Sequence, residues 1–255
     1  MLDPVLPGGA FSHSQYDTFK ACGRSYEFKY IKGRKSPPSP AMARGTAIHA
    51  AIEAALRAKV AGSAVDLQAQ VSLVSDAFDK AAQDIQWNDE SPGKTKDVAL
   101  ALYRTYHVMA LPRMNPVAVE DPFVVKVGVV TVRGIIDLVD HEKEHPGDPG
   151  RLVVADLKTS GAKWSQPDVD RDAQLSLYTA VKRQTFARID NLVSTKTPAY
   201  HRLPTVRGPA DHRNIVEDYE QTVDLIKKGV FPMAPMDSWK CNERWCAHWS
   251  VCRGR

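Results

Sequence analysis

The feature that most constrains how this chain can fold is the run at residues 151–160, which reads Arg-Leu-Val-Val-Ala-Asp-Leu-Lys-Thr-Ser. An apolar stretch with two adjacent valines, bounded by polar residues, predicts a buried β-strand. Side chains on a strand alternate between its two faces, so Asp156 and Lys158 share one face and Leu157 points into the core. The run therefore predicts a strand that displays an acid and a base side by side.

This pairing of side chains suits the hydrolysis of a phosphodiester. A carboxylate can hold a divalent cation, and a neighbouring lysine can orient or deprotonate a water molecule. The Asp-x-Lys pattern is common by chance, so its interpretation depends on the rest of the chain.

Length and composition indicate one elaborated soluble domain. The chain has 255 residues, of which 43% are apolar and 25% charged, enough for a substantial core. The apolar stretches are too short to span a bilayer, and the start (Met1-Leu-Asp-Pro) lacks a basic segment leading into an apolar one. We therefore expect a cytoplasmic protein without a membrane partner. The net charge of +4 is compatible with a nucleic-acid partner.

Positive charge is concentrated near the start of the sequence. Six basic residues stand close together, with Asp17 and Glu27 as the acids among them: Lys20, Arg24, Lys29, Lys32, Arg34 and Lys35. Lys20, Arg24 and Lys29 are candidates for contacts with phosphates. The alternative is an ordinary solvated helix face.

The four cysteines are placed unevenly. Cys22 stands alone, whereas Cys241, Cys246 and Cys252 fall within twelve residues. We do not expect disulfides in a chain without a secretory signal. One remote thiol and three clustered ones could instead close the chain ends around a metal. Zinc is one candidate for this metal, and buried thiols that bind no metal are the alternative.

The predicted elements are helices at both ends of a central group of strands, with one helix inserted. Helices are predicted at 12–31, 42–60, 64–86, 95–110, 168–184 and 210–228, and strands at 124–132, 134–139, 151–160, 188–194 and 198–203. This order indicates an α/β or α+β fold. We expect one domain over 1–255, with a mainly helical part (12–110), a sheet core (117–205), and a C-terminal helix and cysteine segment (208–255).

Other polar residues could complete a site around Asp156 and Lys158. Asp137 offers the second carboxylate that a divalent metal needs. His49 lies on a predicted helix with Glu53 four residues later on the same face. Gln174 and Tyr178 are also four apart on a helix and could position a phosphate or the metal ligands. Each of these also has a purely structural interpretation, as a strand end, a helical histidine or an ordinary amphipathic helix.

In their order along the chain, these residues resemble the motifs of the PD-(D/E)XK nuclease superfamily, in its RecB-like branch, which includes CRISPR-associated adaptation exonucleases. Gly45-Thr-Ala-Ile-His49 is similar to the G-x-x-[IL]-H motif, and Gly134-Ile-Ile-Asp137 to G-x-x-D. Asp156-Leu-Lys158 is similar to D/E-x-K, and Gln174-Leu-Ser-Leu-Tyr178 to Q-x-x-x-Y. The segment from Ser12 to Cys22 resembles the opening helix of the branch.

The resemblance implies a restriction-endonuclease-like core, a central mixed β-sheet flanked by helices, with a helical N-terminal region and a C-terminal cysteine clamp. It also implies that His49, Asp137, Asp156 and the backbone carbonyl of Leu157 ligate Mg²⁺ or Mn²⁺. Lys158 would activate water and stabilise charge on phosphorus, with Gln174 and Tyr178 completing the catalytic set. Glu53 and Glu120 are candidates for outer-shell acids.

The resemblance further implies a [4Fe-4S] cluster on Cys22, Cys241, Cys246 and Cys252, although the late spacing, C-x4-C-x5-C, departs from the usual C-x2-C-x5-C. The implied activity is a metal-dependent DNA exonuclease that acts on single- or double-stranded ends in recombination, repair or replication, in a bacterium or a phage-infected cell, with proteins of those processes as further partners. The alternatives are a structure-specific or single-strand endonuclease and a non-catalytic DNA-binding module.

Overall fold

Residues 5–85, 87, 90–143, 145 and 147–253 are described by a computed structural model of the chain. Their contacts form two compact units. The first comprises Met1–Pro37, Pro122–Gly134 and Arg213–Arg255, and the second Pro38–Asp121 and Ile135–His212. The expectation of a single nuclease domain over residues 1–255 remains a prediction, because a division by contacts does not test it.

The second unit begins with three helices, α3 (Pro40–Val60), α4 (Leu67–Ala81) and α5 (Pro92–Met109). Each has a polar residue at its N-cap whose side chain accepts a backbone N–H of the first turn, namely Ser39, Asp66 and Ser91. The apolar faces of the three helices form one buried cluster, to which the sheet contributes Leu138, Ala155, Leu157 and Leu192. The helices therefore cover one face of the strands that carry the predicted site.

The sheet of the second unit is mixed. It contains the later part of β3 (Val130–Glu142), then β4 (Arg151–Ser160), β5 (Phe186–Val193) and β6 (Ala199–Val206). Strands β3 and β4 are antiparallel, β4 and β5 parallel, and β5 and β6 antiparallel. The parallel pair is joined by α6 (Gln166–Asp170) and α7 (Ala173–Lys182), as a crossover requires. The expected fold class, a central mixed sheet flanked by helices, is confirmed.

A buried arginine joins the central strands of this unit. The guanidinium of Arg188 lies 2.9 Å from Asp140 Oδ2, 2.6 Å from Glu142 Oε1 and 3.0 Å from Asp190 Oδ2, and its side chain is 0% exposed. Burial opposes its charge, but the nearby carboxylates more than compensate and raise the pKa of Arg188. Removing the arginine would leave buried carboxylates without their counter-charge, so this cluster fixes the strands beside the candidate site.

The first unit is built around aromatic rings. It contains β1 (Phe11–Ser12), α1 (His13–Ala21), α2 (Gly23–Tyr26), a π-helical turn (Glu27–Ile31), most of α8 (Pro209–Lys227) and α9 (Trp249–Cys252). Parts of β2 (Pro116–Val127) and β3 also belong to it, and β1 pairs in parallel with β3 at Val132 and Arg133. Tyr219 of α8 stacks on Tyr16 with ring centroids 4.5 Å apart. Tyr16, Phe19 and Tyr26 of the N-terminal segment are buried in this core. Short 3₁₀ turns occur at Pro7–Gly9 and Leu111–Arg113.

Glycines explain two places where the predicted elements were too long. The helix predicted at 12–31 breaks at Cys22, which is extended (φ −169°), and a Cβ on Gly23 would lie 2.7 Å from the Pro232 backbone. The strand predicted at 124–132 contains a turn at Gly128, where φ is +59° and a Cβ would lie 2.0 Å from Glu220. Strand β2 also begins eight residues earlier than predicted, at Pro116.

The remaining differences are small. The helix predicted at 168–184 is interrupted between α6 and α7, where Asp172 caps α7. Residue 86, at the end of the helix predicted at 64–86, lies outside the described residues. No helix in the described part of the chain has the length and apolar character needed to cross a membrane.

Candidate metal and catalytic site

Three residues of the second unit bring their ligand atoms together. One ligand atom each from His49, Glu120 and Asp137 lies within 4.8 Å of the other two. His49 lies on α3, Glu120 on β2 and Asp137 on β3. An imidazole and two carboxylates form a donor set for Mg²⁺ or Mn²⁺. Glu120, which the sequence suggested only as an outer-shell acid, belongs to this group, whereas Asp156 does not.

Glu120 reaches this position through an unusual backbone conformation. Its φ is +48°, and Arg183 is the other non-glycine residue with positive φ among those described. A residue other than glycine loses about 1–3 kcal/mol of stability in such a conformation, and residues strained in this way are often found at functional sites. The next residue, Asp121, forms an ion pair with Lys182 of α7. This contact holds the strand on the C-terminal side of the strained residue.

Asp137 lies within β3, not at a strand end as the sequence suggested. Its Oδ2 accepts the backbone N–H of Leu157 at 2.9 Å and lies 3.9 Å from Nδ1 of His49. Burial raises the pKa of Asp137, and the nearby Glu120 carboxylate adds to this, while His49 and the Leu157 N–H act in the opposite direction. A carboxyl group with a raised pKa among other acids is a group whose charge a cation would stabilise.

The predicted strand geometry around Asp156 and Lys158 is present. Leu157 is buried in the core cluster, and Lys158 Nζ lies 2.7 Å from Asp156 Oδ2. Asp156 is buried, so the Lys158 ammonium supplies the counter-charge for its carboxylate. Burial raises the pKa of Asp156. Burial would lower the pKa of Lys158, but the Asp156 carboxylate more than offsets it and the pKa is raised.

A chain of hydrogen bonds connects Lys158 to α7 and on to β3. Lys158 Nζ donates to Gln174 Oε1 at 2.7 Å, and Gln174 Nε2 donates to the Tyr178 hydroxyl at 2.9 Å. The hydroxyl in turn donates to the carbonyl of Ile135 at 2.8 Å. Gln174 of the predicted pair therefore contacts the lysine directly, and Tyr178 is joined to it through Gln174.

The space beside the three ligands is small. A pocket of about 20 Å³ is lined by polar and aliphatic side chains, the polar ones being His49, Glu53, Tyr106, Glu120, Asp137 and Asp190. This volume suits one ion or one water molecule. Glu53, the second candidate outer-shell acid, accepts a hydrogen bond from Arg57 Nε at 2.8 Å. The donor set and the pocket together fit a divalent cation.

The four cysteines come together in the first unit. All are free, and they line one cavity of about 500 Å³. Burial raises the pKa of Cys246, as do the neighbouring thiols of Cys22, Cys241 and Cys252. Around tetrahedral zinc, sulfurs would lie about 3.8 Å apart. Among the described residues, the cysteines form no group of three ligand atoms within 4.8 Å, so their sulfurs are spread more widely than a single zinc ion requires.

The candidate DNA-contacting residues already have partners within the first unit. Lys20 Nζ lies 3.2 Å from Asp218 Oδ1, and Arg24 Nη1 lies 2.6 Å from Glu27 Oε2. Lys29 is exposed, with its ammonium 4.9 Å from the ring centroid of Tyr30. Their role in binding DNA stays a prediction.

The model of the PD-(D/E)XK nuclease superfamily matches residues 10–253, and the chain belongs to that superfamily. Comparison with curated proteins gave no significant match.

Solved structures agree on the fold. A crystal structure from Eubacterium rectale, of a protein provisionally described as an exonuclease, has a TM-score of 0.56 and 13% sequence identity, covering 91% of this chain and 86% of that chain. The structure of SSO0001 has a TM-score of 0.39 and 14% identity, covering 86% of this chain and 87% of that one. The first similarity supports the architecture alone, and the second carries no weight here.

Proposed function

We propose that this protein is a metal-dependent deoxyribonuclease that hydrolyses phosphodiester bonds at DNA ends. The supporting observation is that His49, Glu120 and Asp137 bring their ligand atoms within 4.8 Å of one another, beside a strand that carries the Asp156–Lys158 ion pair. The superfamily is one of nucleases. The provisional description of the E. rectale protein is consistent with an exonuclease.

Each site residue has a proposed role. His49, Glu120 and Asp137 would hold the divalent cation, with Asp156 and the carbonyl of Leu157 as further ligands. When bound, Mg²⁺ or Mn²⁺ lowers the pKa of a bound water and neutralises charge on the phosphate. The N–H of Leu157, which donates to Asp137, keeps that carboxylate oriented.

Lys158 acts as a positive charge in this proposal. Its raised pKa keeps the ammonium protonated at neutral pH, so it donates a proton in hydrogen bonds and does not remove one from water. It is placed to stabilise negative charge that develops on the phosphate oxygens. Gln174 and Tyr178 position it through the hydrogen bonds described above.

The test is cleavage of end-labelled linear DNA in Mg²⁺ or Mn²⁺ by the wild type and by Lys158→Met. We expect the variant to lose activity at least a thousandfold while remaining folded and keeping its DNA affinity. Lys163→Met, which removes an exposed lysine shortly after the same strand, is the control and should cleave normally. Wild-type rates in the Lys158 variant would refute the mechanism.

Two alternatives to an exonuclease are a structure-specific or single-strand endonuclease and a non-catalytic DNA-binding module. The module is disfavoured because His49, Asp137, Asp156 and Lys158 are all present and close to one another. A covalently closed circular substrate separates the enzymes, since an exonuclease leaves it intact. A role in recombination, repair or replication in the cytoplasm, alongside proteins of those processes, is part of the same proposal.

We further propose that Cys22, Cys241, Cys246 and Cys252 hold a [4Fe-4S] cluster. The support is that the four cysteines, one near the start of the sequence and three near its end, line one cavity, which gathers the four thiol ligands that such a cluster takes. Anaerobically purified protein should be brown, with absorbance near 400 nm and bound iron. Colourless protein that contains stoichiometric zinc would contradict the cluster.

A further inference from the structure

Two tryptophans close to Cys241 and Cys246 lie largely in solvent. The side chain of Trp239 is 66% exposed and that of Trp245 is 59% exposed. Their rings meet edge to face, with centroids 6.0 Å apart and an interplanar angle of 80°. Indoles gain much free energy when buried. Two adjacent rings left in water therefore indicate a surface that receives a ligand.

Cations accompany both rings. Lys240 Nζ lies 5.3 Å from the ring centroid of Trp239, and Arg244 Cζ lies 5.1 Å from that of Trp245. Both cations are exposed. We call Trp239, Lys240, Arg244 and Trp245 together the tryptophan surface.

The cavity next to this surface has a positive wall. Trp239, Lys240 and Trp245 line the same cavity as the four cysteines. The charged residues that line it are four basic ones and one acid, namely Arg24, Lys29, Lys240, Arg253 and Asp17. A ligand that contacts the exposed rings and the exposed cations beside them, Lys240 and Arg244, combines flat aromatic groups with negative charges.

We propose that the tryptophan surface binds single-stranded DNA, with bases stacked on Trp239 and Trp245 and phosphates near Lys240 and Arg244. The proposal rests on the proposed function for the identity of the nucleic acid. Stacking on indoles requires bases that are free of their neighbours. Duplex bases are already stacked and present only their edges in the grooves. Every base has a stackable face, so binding is independent of base sequence.

The test is binding of a fluorescent oligothymidylate of about 20 nucleotides, and of a blunt duplex of equal length, in EDTA so that no cleavage occurs. We expect the double variant Trp239→Ala, Trp245→Ala to bind the single strand at least about tenfold more weakly. The variant with phenylalanine at both positions should stay within about threefold of wild type, because its rings still stack. Intrinsic fluorescence of the wild type should be quenched by the single strand.

Controls separate binding from folding. Val129→Ala removes an apolar side chain that is 81% exposed in the same unit and should leave the affinity unchanged. Unchanged melting temperatures show that the variants are folded. Unaltered single-strand affinity in the alanine double variant overturns the proposal, as does an equal loss of duplex binding, which would mark a general charge effect.

The binding test of the tryptophan surface can be interpreted whether or not the protein cleaves DNA. If the wild type binds the single strand through the indoles but cleaves no DNA in Mn²⁺, the proposed nuclease function fails and the tryptophan surface stands. If the wild type cleaves DNA and the alanine double variant binds normally, the tryptophan surface alone fails.

Discussion

The ammonium of Lys158 donates a 2.7 Å hydrogen bond to Oε1 of Gln174, so a residue of the crossover helix sets the position of the proposed catalytic cation. The same ammonium lies 2.7 Å from Asp156 Oδ2. An ion pair alone leaves a lysine free to rotate around its partner, whereas a second contact from another element fixes its direction. Gln174 is therefore a positioning residue in the proposed mechanism.

We predict that Gln174→Leu lowers kcat about tenfold to a hundredfold with little change in KM, because misplacing a catalytic group by about 1 Å has an effect of this size. Gln174→Glu keeps an acceptor for the ammonium and should retain more activity. Gln166→Leu makes the same chemical change on α6, where the amide bonds Asp170 and Pro204, and should leave kcat unchanged. A rise in KM alone would show that Gln174 contacts DNA instead.

Replacing Glu120 should affect stability and metal binding in opposite directions. We predict that Glu120→Gly raises the free energy of unfolding by about 1 kcal/mol, because glycine adopts positive φ without strain. The same change should weaken Mn²⁺ binding at least about tenfold, because a carboxylate ligand is lost. Calorimetric titration and chemical denaturation measure the two effects.

The matched control is Arg183→Gly. Arg183 has a φ of +54° at the end of α7, a position where glycine is preferred. This variant should also be stabilised but should bind Mn²⁺ like the wild type. If Glu120→Gly leaves Mn²⁺ affinity intact, Glu120 is not a ligand.

The sequence was informative about the strands and helices that carry chemistry because local patterns determine them. Alternation along 151–160 placed Asp156 and Lys158 on one face, and the four-residue spacing of Gln174 and Tyr178 placed both on one helix face; the structure has both arrangements. The fold class followed from the order of the elements.

Other features depended on contacts between distant residues or on backbone angles. Glu120 lies close to His49 and Asp137 because its φ is positive. The local sequence at 119–122, Val-Glu-Asp-Pro, does not predict that conformation. The Lys158–Gln174 bond depends on how α7 lies against β4. The length of the first helix was overestimated because the extended conformation at Cys22 accompanies the packing of Gly23 against Pro232.

Metal affinity and stability should respond to pH in opposite directions through Asp137. Burial raises the pKa of Asp137, so protons compete with the metal at a higher pH than for an ordinary carboxyl, and Mn²⁺ affinity falls as pH is lowered. In metal-free protein the folded state holds its proton more tightly than the unfolded state. The contribution of Asp137 to the free energy of unfolding is therefore fully present below the pKa that Asp137 has in the unfolded state. It is lost as pH rises through the pKa that Asp137 has in the folded state.

Melting temperatures in EDTA check this sign. The difference between wild type and Asp137→Asn should be small in acid and should grow in favour of the variant as pH rises towards neutral. Asp224→Asn, which alters an exposed carboxylate paired with Lys228 at 2.6 Å, should show no such trend. A constant difference across the range would show that the pKa of Asp137 is not raised.

Replacing Cys22 distinguishes a metal ligand from a residue that only packs in the cysteine cavity. Cys22 accepts the N–H of Ala234 at 3.4 Å, and serine can accept the same bond with nearly the same volume. If Cys22 is only a packing residue, Cys22→Ser should change the melting temperature little. If it ligates a cluster with Cys241, Cys246 and Cys252, the substitution opens a closed loop of more than 200 residues and removes binding free energy that favours the folded state.

We therefore expect Cys22→Ser to lose absorbance near 400 nm and to melt about 5 °C lower or more. Ser25→Ala changes another small polar residue that lines the same cavity and should do neither. Unchanged melting with lost absorbance would mean that the cluster contributes nothing to the fold. Unchanged melting with unchanged absorbance would exclude Cys22 as a ligand, because a serine hydroxyl does not replace a thiolate on iron without altering its spectrum.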